Sequence, residues 1–352
     1  MDINLDRREQ QVLCAIVEEH VSSGGPVSSR ALSRRGPEKV SAATLRNTMA
    51  DLEDKGLLEQ PHASAGRVPT DLGYRVYVNG LMRQRKVPPA EEQFIQKSLG
   101  APVGEVNEIF SQVSKVLSQV SHQVGVVVTP NISRIQLKHM EFVRLAPRRA
   151  VAILVAESGV IHNKVFETAG EYTQDQLDRA GRYLTETFQG RTLPEIRERI
   201  RQMMAEERAT YDRLVRDALT LGKASISEGV EEARAGQVYL DGASNLLEAP
   251  EFSDVLKLQG ILRTLDERES LIVLLNRCID GGDEGVRVLI GSETDLPDLS
   301  RCTVITSTYG PEGAPSGTLG VIGPTRMEYA KAVALVDYVS RFFGGLLSRY
   351  SA

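Results

Sequence analysis

The amino-acid sequence predicts an α+β protein that begins with a winged helix-turn-helix. Three observations carry this. Apolar residues recur at helical spacing in three short N-terminal segments. Two extended segments then flank a proline-bounded loop at residues 60–70 (QPHASAGRVPT), ahead of a fourth helical segment. Downstream, strand-like runs come in two groups separated by a long, mostly helical stretch, the pattern of an α+β domain carrying an insertion.

Each element has its own signal. In the first helix, 6–22, Leu13, Val17 and Val21 fall at i, i+4, i+8, with Val12 and Ile16 widening the stripe; Gly24, Gly25 and Pro26 end it. Ser28 is placed to cap a short helix over 29–35, which Gly36 and Pro37 stop. Ser41 caps a third helix that runs to about Lys55, with Gly56 in the C′ place. Leu57 and Leu58 start one strand and Val68 belongs to another. Thr70 caps a fourth helix with Tyr74, Tyr77, Val78 and Leu81 on one face. RQRKVPPAEE reads as a linker. Helical periodicity returns over 106–124. HMEFVRLAP, RAVAILVAE and VIHNKVFET read as three neighbouring strands. Residues 174–188 and 193–221 are helical, 238–240 a short strand, and 254–265 and 267–279 helical again. Strands return in GVRVLIGSE, CTVITSTYG and GTLGVIG, before a last helix over 327–347. The expected division is 1–85 for the winged-helix domain, 86–105 for a linker, 106–174 with 271–352 for one α/β domain, and 175–270 for its insertion.

Composition narrows the function class. The chain has 352 residues, 41% of them apolar and 25% charged, as in soluble globular proteins. No apolar run reaches the ~18 residues of a membrane span. The first residues lack the basic and apolar regions of a secretory signal, so a cytoplasmic protein is expected. Cys14, Cys278 and Cys302 are widely spaced, form no zinc pattern and suit a reducing compartment. The net charge of -5 hides a split: residues 1–87 carry +2, the remainder -7, and residues 28–48 alone +4.

The third helix is the best candidate for reading DNA. Leu45, Met49 and Leu52 face the core, so Ala43, Thr44, Arg46, Asn47 and Ala50 point away from it. That outer face is small and polar, able to enter a major groove ~12 Å wide. Ser41, Thr44 and Asn47 can bond base edges or phosphates, and the helix N-terminus adds a dipole suited to phosphate. The bland alternative is a solvated helix face; the preceding short helix and the basic balance favour DNA. The loop at 60–70 would be the wing. Arg67 and His62 could reach a phosphate or the minor groove, and the small residues Ala63, Ser64, Ala65 and Gly66 would let the backbone approach DNA.

Three segments carry a family resemblance: SSRALSRR, VSAATLRNTMADLEDKGLLEQPHASAGRVPTDLGYRVYV and, far downstream, STYGPEGAPSGTLGVIGPTRMEYAKAVALVDYVS. They resemble the bacterial heat-inducible repressor family HrcA, in the same order and over most of the chain. The resemblance implies a repressor of class I heat-shock (groE and dnaK chaperone) operons acting at an inverted-repeat operator called CIRCE. It implies a GAF-like domain after the winged helix, an inserted dimerisation domain, a homodimer, and the chaperonin GroEL as modulator. Carried over residue by residue, 41–55 is the recognition helix and 61–68 the wing. The DNA-binding set is then Ser28, Ser29, Arg30, Ser41, Ala43, Thr44, Arg46, Asn47, His62, Ser64, Gly66 and Arg67. Ala42, Leu45 and Thr48 stand where proline, isoleucine and aspartate are usual.

No catalytic constellation competes with this, so neither an enzyme nor a cofactor is expected. GTLGVIGP lacks the lysine and Ser/Thr ending of a phosphate loop and reads as a strand with close-packing glycines. His20, His62, His122, His139 and His162 form no ligand pair, and no serine sits in a nucleophile elbow. The alternative function is a regulator sensing a small molecule in the GAF-like domain. For the dimer, Met203, Leu214, Leu219, Leu221, Leu258, Leu262 and Leu265 are expected to need a partner surface.

Overall fold

The computed structural model describes residues 4–35, 41–62, 65–83, 85–100, 106–129, 136–157, 161–206, 213–227, 237–280, 285–310 and 317–350. The protein is α+β. Its N-terminal elements are α1 (Arg7–Ser23), α2 (Ser29–Arg35), α3 (Ala42–Asp54), β1 (Leu58–Glu59), β2 (Val68–Pro69) and α4 (Asp71–Val76), which continues as a π-helical turn through Tyr77–Leu81. The caps are local chemistry. Asp6 and Glu9 form a reciprocal capping box at the start of α1, and Thr70 accepts from the Gly73 amide at the start of α4. At the end of α3 the Leu57 amide donates to the Leu52 carbonyl and the Gly56 amide to that of Glu53. This double closure needs a left-handed residue, and Gly56 supplies it at φ +73.

The chain continues through α5 (Pro89–Leu99), α6 (Val106–Ser121), β3 (Val124–Val128), β4 (Leu137–Ala146), β5 (Arg149–Ala156), β6 (Ile161–Glu167), α7 (Gln174–Phe188), α8 (Leu193–Glu206), α9 (Arg213–Ser227), β7 (Val238–Asp241), β8 (Val286–Ile290), β9 (Cys302–Tyr309) and β10 (Gly317–Pro324). Helices Val255–Asp266 and Arg268–Asp280 lie between β7 and β8, and helix Tyr329–Tyr350 closes the chain. Residues expected to be pure linker thus include a helix, α5, whose buried Ile95 and Leu99 pack it against α6.

The strands fall into two large sheets where one was expected. A five-stranded antiparallel sheet has the order β7-β3-β10-β9-β8, and β4-β5-β6 form a separate antiparallel sheet. The first is covered on both faces. Val127, Ile305, Leu319 and Val321 meet α6 and the C-terminal helix, while Val126, Val304 and Ile322 meet the helices at 255–280. Within it, β10 is buried along its whole length, and Gly320 lies where a Cβ would strike the Ile305 carbonyl. The second sheet has its own core with α7, α8 and α9, built on Met140, Phe142, Leu177, Phe188, Ile196 and Leu219.

Two further expectations change here. The single helix read over 193–221 is α8 and α9 packed against each other, with 207–212 outside the described residues. Of the apolar positions said to need a partner, Met203, Leu219, Leu221 and Leu265 are buried within the single chain, and the side chain of Leu214 lies outside the described residues. Those four buried residues gain their cover from neighbouring elements, so they are no argument for a second copy; Leu258 and Leu262 are half-buried.

Candidate nucleic-acid interface

The core of the N-terminal helices fixes how α3 presents its outer face. Leu45, Met49 and Leu52 are buried with Leu13, Ile16 and Val17 of α1 and Leu32 of α2. On the opposite side Ala43, Arg46 and Asn47 are exposed, and Thr44 and Ala50 are half-buried. Ser41 caps the helix, its Oγ accepting from the Thr44 amide at 3.1 Å and lying 2.9 Å from the Thr44 hydroxyl. The N-terminal turn of α3 is therefore a small polar surface carrying one guanidinium at Arg46. Thr48, a departure from the family pattern, is buried, and its hydroxyl donates to the Thr44 carbonyl at 3.3 Å. It faces inward and adds nothing to this surface.

The segment before α2 is split between surface and core. Ser28 is exposed, with its Oγ accepting from the Ala31 amide at 3.2 Å, and Arg30 is exposed. Ser29 is only 8% exposed. Helix periodicity turns it toward the core, so it stands apart from the exposed residues grouped with it at the sequence level.

The loop differs most from expectation. His62 is exposed, and its carbonyl accepts from the Ala65 amide at 2.8 Å. The Gln60 side-chain amide donates to the Ala65 carbonyl at 2.9 Å, closing the loop on itself. Ala63 and Ser64 lie outside the described residues. Arg67, expected at a phosphate, has a partner inside the protein. Its Nε donates to Glu53 Oε2 at 2.8 Å, and a terminal nitrogen lies 2.7 Å from the same oxygen. Glu53 is in the last turn of α3, roughly 18 Å of helix rise from Ser41. The Arg67 guanidinium thus sits at the far end of α3 from its polar N-terminal turn.

Arg67 also pairs through its backbone with Val27, the two residues exchanging N–H···O bonds of 2.9 Å each way. Gly66 is held against this bridge, and a Cβ there would collide with the Val27 carbonyl. The glycine is required by the close approach of two backbone segments of this protein. The Val27 bridge and the Arg67–Glu53 pair were both missed in the sequence. The pairs span 40 and 14 residues, and no periodicity reports contacts of that kind.

Comparison with known proteins agrees with the motif resemblance. The family model described as the HrcA protein C-terminal domain matches residues 107–333. A heat-inducible transcription repressor HrcA of Geobacter sulfurreducens is 38% identical over 344 residues, covering 98% of this chain and 98% of that protein. Its counterpart from Desulfitobacterium hafniense is 35% identical over 346 residues, covering 98% and 99%. A 2.2 Å crystal structure of a protein described as hypothetical shares the fold, with a TM-score of 0.57 at 21% identity over 99% of each chain. A family model spanning more than half of the chain, together with near full-length identity above 30%, places this chain in the HrcA family.

Proposed function

We propose that this protein represses transcription of heat-inducible genes by reading DNA with α3, in a winged helix-turn-helix arrangement. One observation carries the reading: a small, polar, exposed face (Ala43, Arg46, Asn47) on a capped helix whose opposite face is locked into a core. Such a face fits a major groove and offers Asn and Arg, the side chains that pair best with adenine and guanine edges. The names of the full-length relatives support the repressor role.

The finer reading follows from the same likeness and from geometry. Residues 4–83 form the DNA-binding unit; the five-stranded sheet and its covering helices form the GAF-like unit; β4–β6 with α7–α9 (136–227) form the insertion. This redraws the 175–270 insertion around the elements that share one core. A single such unit reads too few base pairs to find a promoter among competing sites. A two-fold homodimer on an inverted-repeat operator, CIRCE, resolves this by mirroring the operator's symmetry. Exposed Leu247, Val255 and Leu256 are apolar surface that a second copy would cover. The same family reading makes the promoters those of the groE and dnaK chaperone operons, the compartment the cytoplasm, and the chaperonin GroEL the modulator.

The test is a footprint of the full chain on chaperone promoters of its own organism, with no small molecule added. Protection of an inverted repeat is the expected result. No protection beyond that on random duplex, or protection only once a metabolite is supplied, would overturn the reading in favour of another role or of the ligand-responsive alternative.

A further inference from the structure

The DNA-binding unit is clamped to the GAF-like unit at two separated points. The first lies on α4. The Asp71 carboxylate accepts from the Ser292 amide at 3.1 Å and from its hydroxyl at 3.3 Å. One turn later Arg75 grips Glu293 through two guanidinium nitrogens and also donates to the Val288 carbonyl at 2.5 Å. The Glu293 carboxylate is itself oriented by the Ile290 amide at 2.9 Å. Gly291 completes the fit, since its φ of +53 suits glycine and a Cβ there would run into the Asp71 carboxylate.

The second clamp lies at the end of α1. Arg326 donates to the Val21 carbonyl at 2.9 Å, pairs with Glu251 and packs its guanidinium against Gly24. Between the clamps Tyr74 and Tyr329 meet at 5.5 Å between ring centroids, inside one continuous apolar cluster. Two polar clamps around a packed seam leave a rigid body little freedom to rotate. A bidentate Arg–carboxylate pair adds directional restraint that one point contact lacks.

Accepting that α3 reads DNA as a dimer, we propose that Arg75 and Glu293 are positioning residues that set the half-site spacing the protein accepts. They touch no DNA in this scheme. They fix the orientation of each reading unit on its GAF-like unit, and so the separation and twist between the two α3 helices of a dimer. Adding one base pair between half-sites turns them by about 34° and parts them by about 3.4 Å. A clamped dimer cannot follow that change, whereas an unclamped one can.

The test uses the full chain on inverted repeats whose spacer is varied one base pair at a time, with a single half-site duplex in parallel. Wild-type affinity should fall at least about tenfold for a one-base-pair change, on the scale of a mismatched base pair. In Glu293→Gln and Arg75→Ala the same change should cost less than about threefold, with half-site affinity within about twofold of wild type. Glu293→Gln leaves the DNA-binding unit chemically untouched, so it guards against local misfolding from Arg75→Ala. The double variant should flatten the profile no further than either single one, because both remove the same link. Spacer profiles as sharp as wild type in both variants would overturn the proposal, as would half-site affinity that falls in step with them. A wild-type chain that does not prefer an inverted repeat to scrambled duplex would instead overturn the repressor reading beneath it.

Discussion

Replacing Gly66 with alanine would separate two explanations for a glycine in the loop. If Gly66 serves only to let DNA come close, Gly66→Ala leaves the free protein unchanged. The structure points elsewhere: the new methyl would occupy the space of the Val27 carbonyl, and the two bridged segments would have to part. Parting them breaks the two 2.9 Å bonds that Val27 and Arg67 exchange. At about 1 kcal/mol net for each bond, the loss is roughly 2 kcal/mol. Since 1.4 kcal/mol is a factor of ten, opening of this bridge becomes about 30-fold more frequent. Amide hydrogen exchange reads that locally, without requiring the whole chain to unfold in one step. The Val27 and Arg67 amides should exchange about 30-fold faster in Gly66→Ala, while those in β9 and β10 stay as in wild type. Unchanged protection at Val27 and Arg67 would refute the steric argument and return Gly66 to a role in binding.

Other positions give sharp expectations. Arg67→Ala should cost about 1 kcal/mol of stability through the lost Glu53 pair, and should leave the salt dependence of DNA binding intact. A guanidinium on a phosphate would instead flatten the log–log slope by about one unit on removal, which titrations at several salt concentrations would show. Burial lowers the pKa of His20, whose ring nitrogen Nδ1 lies 2.9 Å from the Gly25 carbonyl and whose neighbours include Arg326. The folded state thus favours the neutral ring, so the His20 contribution is present above its ordinary value of 6.5 and is lost as pH falls below it. His20→Gln should accordingly flatten the loss of thermal stability between pH 7 and pH 5, roughly the range in which histidine titrates. Burial pushes the Cys302 thiol up to about 12, so it should resist alkylation in the native protein and react only on unfolding, as mass spectrometry of labelled peptides would show.

What the sequence disclosed was mostly local. Ser41, Thr70 and Gly56 announce helix ends because capping acts within a few residues, and all three are found doing so. The buried stripe Leu45–Met49–Leu52 followed from periodicity, and so did the exposure of Ala43, Arg46 and Asn47. Other features were hidden because they depend on distant partners. Strand β3 is five buried residues, VGVVV, a continuous apolar run that shows neither helical nor alternating spacing; only its first residue, Val124, received an assignment, as the end of the helical run over 106–124. Alternation in β4–β6 indicates which residues face inward but cannot say which sheet they join. The loop position of Arg67 suggested reach to a phosphate or the minor groove, and gave no sign of the Glu53 carboxylate, 14 residues earlier, that holds it. Proline-rich charge at 83–92 suggested a linker, yet Pro89 occupies the first turn of a helix, where a missing amide costs nothing.

Whether α3 reads the operator is decided by Asn47→Ala and Arg46→Ala in the full chain. Affinity for the footprinted operator and for a scrambled duplex would be measured at one fixed salt concentration. Both side chains are exposed and outside the core, so the fold should survive, as circular dichroism would confirm. Each variant should lose roughly 1–3 kcal/mol of discrimination between operator and scrambled DNA. Discrimination equal to wild type in both variants would contradict this and move the reading surface off α3.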